Sequence, residues 1–339
     1  MAHRCAAAYS ARSLLGLHIF MRNFTYFLGL SVCSIGCSVG TSVGPDESEA
    51  THKSVDAIFS DGGKECASME PQPREKKWKI DSGGVEREYR VFVPSTYNPK
   101  LRTPVVFNFH GFALSPRIEE WLTDLSAKAE AEGFILVYPK GTGILFDSFN
   151  GGACCGTAAT GGTDDVGFTA KMLDAIESTM CVDRRRVFAS GFSSGAFLAH
   201  RLGCELSSRI AAVAAVSGTL SVEECNPSRP VPVVSFHGMK DKLIPYDGRE
   251  KRGWTSAPDS FARWAKINRC SDKPVESMPG PEVMLHAHSE CQDGAEVELW
   301  SLPNGRHAWP GGRKIARGTR VLSANDRIWE FFQNHPMPE

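Results

Sequence analysis

The sequence predicts a fold of the α/β class, a mainly parallel sheet covered on both faces by helices. Three observations carry that expectation. Short apolar runs of buried-strand type recur at 104–111 (PVVFNFHG), 134–139 (FILVYP), 185–191 (RRVFASG) and 230–238 (PVPVVSFHG). Helical stretches lie between them, and alternating strands and helices are the signature of parallel crossover units. A chain of 339 residues, 42% hydrophobic and 23% charged, is also long enough to bury one large core in a single catalytic domain.

In chain order, Met21 and Arg22 precede NFTYFLGLSVCSIGCSVG, a short apolar run with a basic start and small residues after it. Residues 1–37 are therefore expected to be a secretion signal region, with Met21 a second candidate start. The run is barely long enough to span a bilayer and is diluted with Ser, Gly and Cys, so stable membrane insertion is not expected. Lipid attachment at Cys37, which ends a Ser-Ile-Gly-Cys stretch, is the alternative to secretion, although Ser34 stands where an apolar residue is wanted. Residues 38–75 are polar and without periodicity, and are expected to form a flexible linker. The catalytic domain is expected to occupy 76–339.

Within that domain, 87–94 (REYRVFVP) alternates like a half-exposed edge strand, and VELWSLP at 297–303 is of strand type. Helices are expected over 118–133, 165–180, 194–208, 259–268 and 325–333. Asp164 and Asp165 stand where carboxylates cap a helix start. The long segment 143–162 (GILFDSFNGGACCGTAATGG) is expected to fold over the functional site and bound a cleft.

A net charge of −1 and a pI near 6.8 provide no basic field, so nucleic acid is not an expected partner and the substrate should be neutral or small. Eleven cysteines, without a paired zinc spacing, point to an oxidising compartment. Setting aside Cys5, Cys33 and Cys37 leaves eight, an even number. Cys270 and Cys291 bracket a Pro-rich, charged loop and are expected to pair. Cys154 and Cys155 are expected to find distant partners among Cys181, Cys204 and Cys225.

Sheets of this type carry their chemistry in loops at the carboxyl ends of strands. Four such loops qualify: His110-Gly111-Phe112, 191–195, 237–241 and 304–312. Gly191-Phe-Ser193-Ser-Gly195 falls between a buried strand and an Ala-rich helix, the context in which Gly-x-Ser-x-Gly raises a serine nucleophile at a sharp turn. A serine needs a base within hydrogen-bond reach. The chain order Ser, acid, His leaves His286, His288, His307 and His335, and His307 is the best placed, on a Gly- and Pro-bracketed loop after a strand. His286 and His288 alternate like a strand, and with Cys291 neither spacing nor a fourth ligand suits a metal. Asp241, a few residues past a buried strand, is the candidate acid, with Asp247 as the alternative. Backbone N–H groups of Phe112 and Ser194 are the candidate oxyanion donors. His110 and His237 read as structural histidines supporting their loops.

The stretches FNFHGF, GGACCG, DDVGF, CVDRRRVFASGFSSGA, CELSSRIAAVAAVSG, FHGMKDKLIPYDG and GRHAWPGG resemble the secreted α/β-hydrolase esterases that include feruloyl esterases and polyhydroxybutyrate depolymerase-like proteins, the first carbohydrate esterase family. The resemblance covers about residues 85–335 and implies Ser193, Asp241 and His307 as the catalytic triad, with the oxyanion site near Phe112 and Ser194. This chain has Ser194 where Asn or Asp is frequent in the family, Phe192 where smaller apolar residues are frequent, and Arg306 where a Gly is more usual. The implied activity is hydrolysis of carboxylic esters without metal or organic cofactor. Hydroxycinnamoyl (ferulic) esters of plant polysaccharide are the expected substrate, with Phe112, Phe192 and Trp309 as walls for the planar acyl group. Polyhydroxybutyrate depolymerase, acetylxylan esterase and a non-catalytic binding protein of the same fold are the alternatives.

Overall fold

The computed structural model describes Cys66, Met69 and residues 72–339, except 272 and 314–318. The expected signal region 1–37, with Met21 and Cys37, and most of the expected linker lie outside the described residues.

The strands are β1 (Glu75–Ser82), β2 (Val85–Phe92), β3 (Thr103–Phe109), β4 (Ile135–Pro139), β5 (Val182–Phe192), β6 (Ala212–Val216), β7 (Val233–Gly238), β8 (Val275–Gly280), β9 (Val283–His288) and β10 (Val297–Leu302). The helices are α1 (Pro116–Thr123), α2 (Leu125–Glu132), α3 (Gly156–Thr160), α4 (Asp165–Glu177), α5 (Ser194–Glu205), α6 (Ala257–Ile267) and α7 (Ala324–Asn334). Among the described residues the strands form one sheet in the order β1-β2-β4-β3-β5-β6-β7-β10-β9-β8. The pairs from β4 through β3, β5, β6 and β7 to β10 are all parallel, and an antiparallel hairpin flanks each side.

Central strands of such a sheet are buried on both faces, which is why they read as unbroken apolar runs. Along β5, Val187 and Ala189 enter one core with Met172 and Leu173 of α4, Leu198 and Leu202 of α5, and Trp264 of α6. Phe188 and Phe192 point the other way, to a second core with Leu125 and Ala129 of α2 and Phe331 and Phe332 of α7. The period-2 alternation of a strand thus feeds two helical layers.

Three local expectations are revised and one strand is added. The helix read over 118–133 is two helices, because Asp124 adopts a left-handed conformation (φ 55°) and ends α1. The strand at 87–94 is not the sheet edge: β1, hidden in sequence by its lysines, pairs along its whole length through a Gly83-Gly84 turn. Ala212–Val216 forms the buried strand β6. Cys66, within the expected linker, is buried and joined to Cys181 at the start of β5.

The remaining disulfides join Cys204 to Cys225, Cys270 to Cys291, and Cys154 to Cys155. The distant partners expected for Cys154 and Cys155 are taken: Cys181 is held by Cys66, and Cys204 and Cys225 are held together where the end of α5 meets the loop after β6.

Candidate active site

The elbow is made where β5 runs into α5. Ser193 is the residue between them, with φ 54° and ψ −117°, values a non-glycine residue adopts only under constraint from its surroundings. Its backbone N–H donates to Val216 O at 2.9 Å, tying the turn to β6. Both flanking glycines are sterically required: a Cβ on Gly191 would collide with the Gly195 carbonyl, and one on Gly195 with the Phe109 carbonyl of β3. The strand and helix can approach this closely only without side chains there.

His307 and Asp241 come from two loops stitched together through their backbones. Met239 N–H donates to Leu302 O and Lys240 N–H to Gly305 O, each at 2.9 Å, so the turn after β7 lies along the turn after β10. His307 Nδ1 then stands 2.7 Å from Asp241 Oδ2. Asp241 Oδ1 accepts the N–H groups of Leu243 and Ile244, both at 2.9 Å, so the carboxylate is a fully used acceptor with its geometry fixed. Asp247, the alternative acid, is exposed, and the carboxylate that His307 meets is that of Asp241. The Phe192 ring centroid is 4.9 Å from that of the imidazole, which places the candidate base beside the residue preceding Ser193.

His237, buried behind the pair, donates Nε2–H to Ile244 O at 2.9 Å and is 3.8 Å from Asp241 Oδ2. Burial holds its pKa below the usual histidine value. A neutral, hydrogen-bonded imidazole there braces the Asp241 turn without competing for its charge.

The third loop follows β3. His110 is fully buried and its pKa is pushed down to about 4 by burial. Gly141 N–H donates to its Nε2 at 3.0 Å, so the ring proton sits on Nδ1 and is donated to Gly111 O at 2.8 Å. His110 therefore shapes the loop. A Cβ on Gly111 would lie 3.4 Å from Ser193 Cβ, so Phe112 follows a residue packed directly on the elbow. The Ser194 N–H belongs to the first turn of α5, where helix geometry leaves amides without intrahelical acceptors. The Ser194 hydroxyl accepts Phe149 N–H at 3.3 Å and so anchors the loop after β4.

That loop contributes what the sequence reading placed elsewhere. Phe146 is 42% exposed and its ring is 5.7 Å from that of Phe112, which is 43% exposed. Trp309 cannot line a cleft: it is fully buried in the second core and donates Nε1–H to Asn325 Oδ1 at 2.8 Å, bracing the His307 loop on α7. Phe192 is likewise a core residue, 5% exposed, with its ring tilted 38° to the His307 imidazole. Phe192 and Trp309 stand within two positions of Ser193 and His307 and only packing shows them to be core, whereas Phe146 lies far from every candidate residue in sequence and is brought to Phe112 by the fold. Cys291, considered with His286 and His288, is in a disulfide and unavailable to a metal.

Asp164 caps α4, its Oδ1 accepting Gly167 N–H at 2.7 Å. Asp165 has a different role: it is fully buried, paired with Arg87 at 2.7 Å, and accepts Asn150 N–H at 2.7 Å. The same carboxylate thus ties β2 and α4 to the loop over the site.

A phospholipase/carboxylesterase family model matches residues 167–255, the stretch that holds the elbow and Asp241. Feruloyl esterase B of Piromyces equi is 30% identical over 240 residues, 67% of this chain; the chain spans 44% of that relative's length. A probable feruloyl esterase C of Aspergillus oryzae is 27% identical over 256 residues, covering 73% of this chain and 84% of the relative. Among solved structures, an acetyl xylan esterase from Aspergillus awamori superposes with a TM-score of 0.57 at 13% identity, covering 76% of this chain and 99% of that one.

Proposed function

The chain is an α/β-hydrolase related to the feruloyl esterases, and from that premise we propose that it is a secreted serine esterase that releases hydroxycinnamic acids from plant polysaccharide. The observation that carries the reading is the 2.7 Å contact between His307 Nδ1 and Asp241 Oδ2 beside an elbow serine. With Nδ1–H committed to Asp241, Nε2 is the basic nitrogen of His307.

Ser193 Oγ attacks the ester carbonyl while His307 Nε2 takes its proton. Asp241 holds the ring tautomer and stabilises the imidazolium. The N–H groups of Phe112 and Ser194 receive the developing oxyanion, and collapse of the tetrahedral adduct expels the alcohol, which takes its proton from His307. Water, activated by the same histidine, then cleaves the acyl-enzyme and frees the acid. The reaction uses only groups of this chain and water.

Two features support an aromatic acyl group. The exposed rings of Phe112 and Phe146 stand together at the oxyanion loop, a wall suited to a planar cinnamoyl group. The Piromyces equi and Aspergillus oryzae relatives carry feruloyl esterase names. Secretion is supported by the cysteines, all eight of which among the described residues are in disulfides. One purified sample assayed on methyl ferulate, acetylated xylan and polyhydroxybutyrate tests the proposal. Ferulate release is the expected result. Deacetylation or film clearing without ferulate release would reassign the substrate, and no turnover with an unlabelled Ser193 under a fluorophosphonate would end the esterase reading.

A further inference from the structure

A carboxyl group stands buried behind the oxyanion loop. Glu119, the fourth residue of α1, has no solvent exposure, and no cation among the described residues pairs with it. Asn108 Nδ2 donates to its Oε1 at 3.5 Å, and the Gly111 backbone is its other hydrogen-bonding partner. Oε2 is buried without a hydrogen-bond partner. Asn108 Oδ1 in turn accepts Ser190 Oγ–H at 3.2 Å. The carboxyl thus ends a buried polar chain that starts on β5 three residues before Ser193, crosses β3 and reaches the loop that carries Phe112. Burying a carboxyl group is costly, and an apolar side chain would fill the same space in α1 at less cost. Stability alone does not account for a glutamate here.

We propose that Glu119 is a positioning residue of the oxyanion site, holding the Gly111–Phe112 backbone in register with Ser193. This rests on the serine-esterase reading. Gly111 is held from both sides, by Glu119 at its backbone and by the His110 ring at its carbonyl, and the next amide along the chain is the Phe112 donor. Burial pushes the Glu119 carboxyl up to about 8, so at neutral pH it is an acid without charge. That state matters, because an anion one residue from the Phe112 N–H would oppose negative charge growing on the carbonyl oxygen. The titratable groups around it supply no compensating cation. Tyr138 on β4 is buried and its pKa is raised, His110 is held neutral, and Glu120, next on α1, faces Arg90 and Ser126.

The test is steady-state kinetics of the full chain on a small activated acetate ester, comparing wild type with Glu119→Leu and Glu119→Gln. Leucine removes the acceptor and should lower kcat by about 10- to 100-fold with KM changed by less than about threefold, less than the roughly 100- to 1000-fold of outright donor loss because the Phe112 amide is misaligned and not removed. Glutamine keeps a neutral acceptor and should restore kcat to within about threefold of wild type. Wild-type kcat should also fall along an alkaline limb near pH 8 that Glu119→Gln lacks, which decides the matter even if Glu119→Leu does not fold. A folded Glu119→Leu protein with wild-type kcat, or an alkaline limb unchanged in Glu119→Gln, would overturn the proposal. A wild type that neither turns over esters nor reacts at Ser193 would instead remove the esterase reading and this inference with it.

Discussion

At the scale of single residues, the site separates groups that react from groups that hold. Ser193→Ala should lose about four to six orders of magnitude in kcat/KM, measured on methyl ferulate, while circular dichroism stays native. Asp241→Asn should lose about four, since the amide favours the wrong imidazole tautomer; an equal loss in Asp247→Asn would mean the acid is misassigned. The holding groups report in a different assay. Burial lowers the pKa of His200 to about 3, from an ordinary value of 6.5, and Trp264 Nε1–H donates to its Nδ1 at 3.0 Å. Its folded-state pKa is depressed, so the unfolded chain binds the extra proton between those values. The associated stability is complete above about pH 6.5 and is lost as pH falls toward 3. His200→Gln should therefore have a flatter dependence of Tm on pH below 6.5 than wild type, and parallel curves would show that His200 is not the group responsible.

Single contacts between elements determine how the loops are presented. Arg87 on β2 and Asp165 on α4 are 4% and 0% exposed in their side chains, and the guanidinium also lies 4.0 Å from the Phe168 ring. Arg87→Met leaves a buried carboxylate without its cation and should destabilise by about 3–5 kcal/mol, read as a lower urea midpoint. Replacing both partners by apolar residues should recover much of that loss. Trp309 makes the comparable link between the His307 loop and α7. Trp309→Ala should cost about 3–5 kcal/mol by opening a core cavity. It should also lower turnover of acetyl and feruloyl esters by the same factor, since the side chain meets the loop and not the substrate. A loss confined to feruloyl esters would return Trp309 to the cleft wall.

Across the whole molecule, the parallel strands from β4 to β10 present the proposed nucleophile, acid and base after β5, β7 and β10, with β6 between the first two, at one end of the sheet. The segment after β4 is fastened above that end by several ties: Ala113 N–H to Asp147 O at 2.9 Å, the Ser194 hydroxyl, and the Arg87–Asp165 pair acting through Asn150. Its tip carries Ile144 and Leu145, 85% and 84% exposed, beside Phe146. Phe146→Ala should raise KM for methyl ferulate by about tenfold, the effect of about 1.4 kcal/mol of lost contact, and leave KM for an acetyl ester within about twofold. Equal changes for both esters would place the ring outside the acyl site. On the far side of the sheet's parallel core, Cys270–Cys291 closes the β8–β9 hairpin with a sequence separation of 21. Replacing both cysteines by serine should cost roughly 3 kcal/mol in a denaturant titration and leave kcat unchanged.

By itself the sequence determined the class of fold and the position of the elbow, and it singled out the loops proposed to supply acid and base. Each of these is written locally, as an unbroken apolar run, a pair of glycines around a serine, or a histidine just past a strand. The Ala-rich run of β6 suits a helix as well as a strand, the lysines of β1 hide its pairing, and the left-handed turn at Asp124 interrupts a pattern that periodicity carries straight through. Tertiary structure decided which acid meets His307, which cysteines meet one another, that Trp309 is core while Phe146 is exposed, and that Glu119 is buried behind Gly111. These are facts about partners distant in sequence. A side chain's exposure and its hydrogen bonds depend on what the rest of the chain packs against it, and local periodicity carries no record of that.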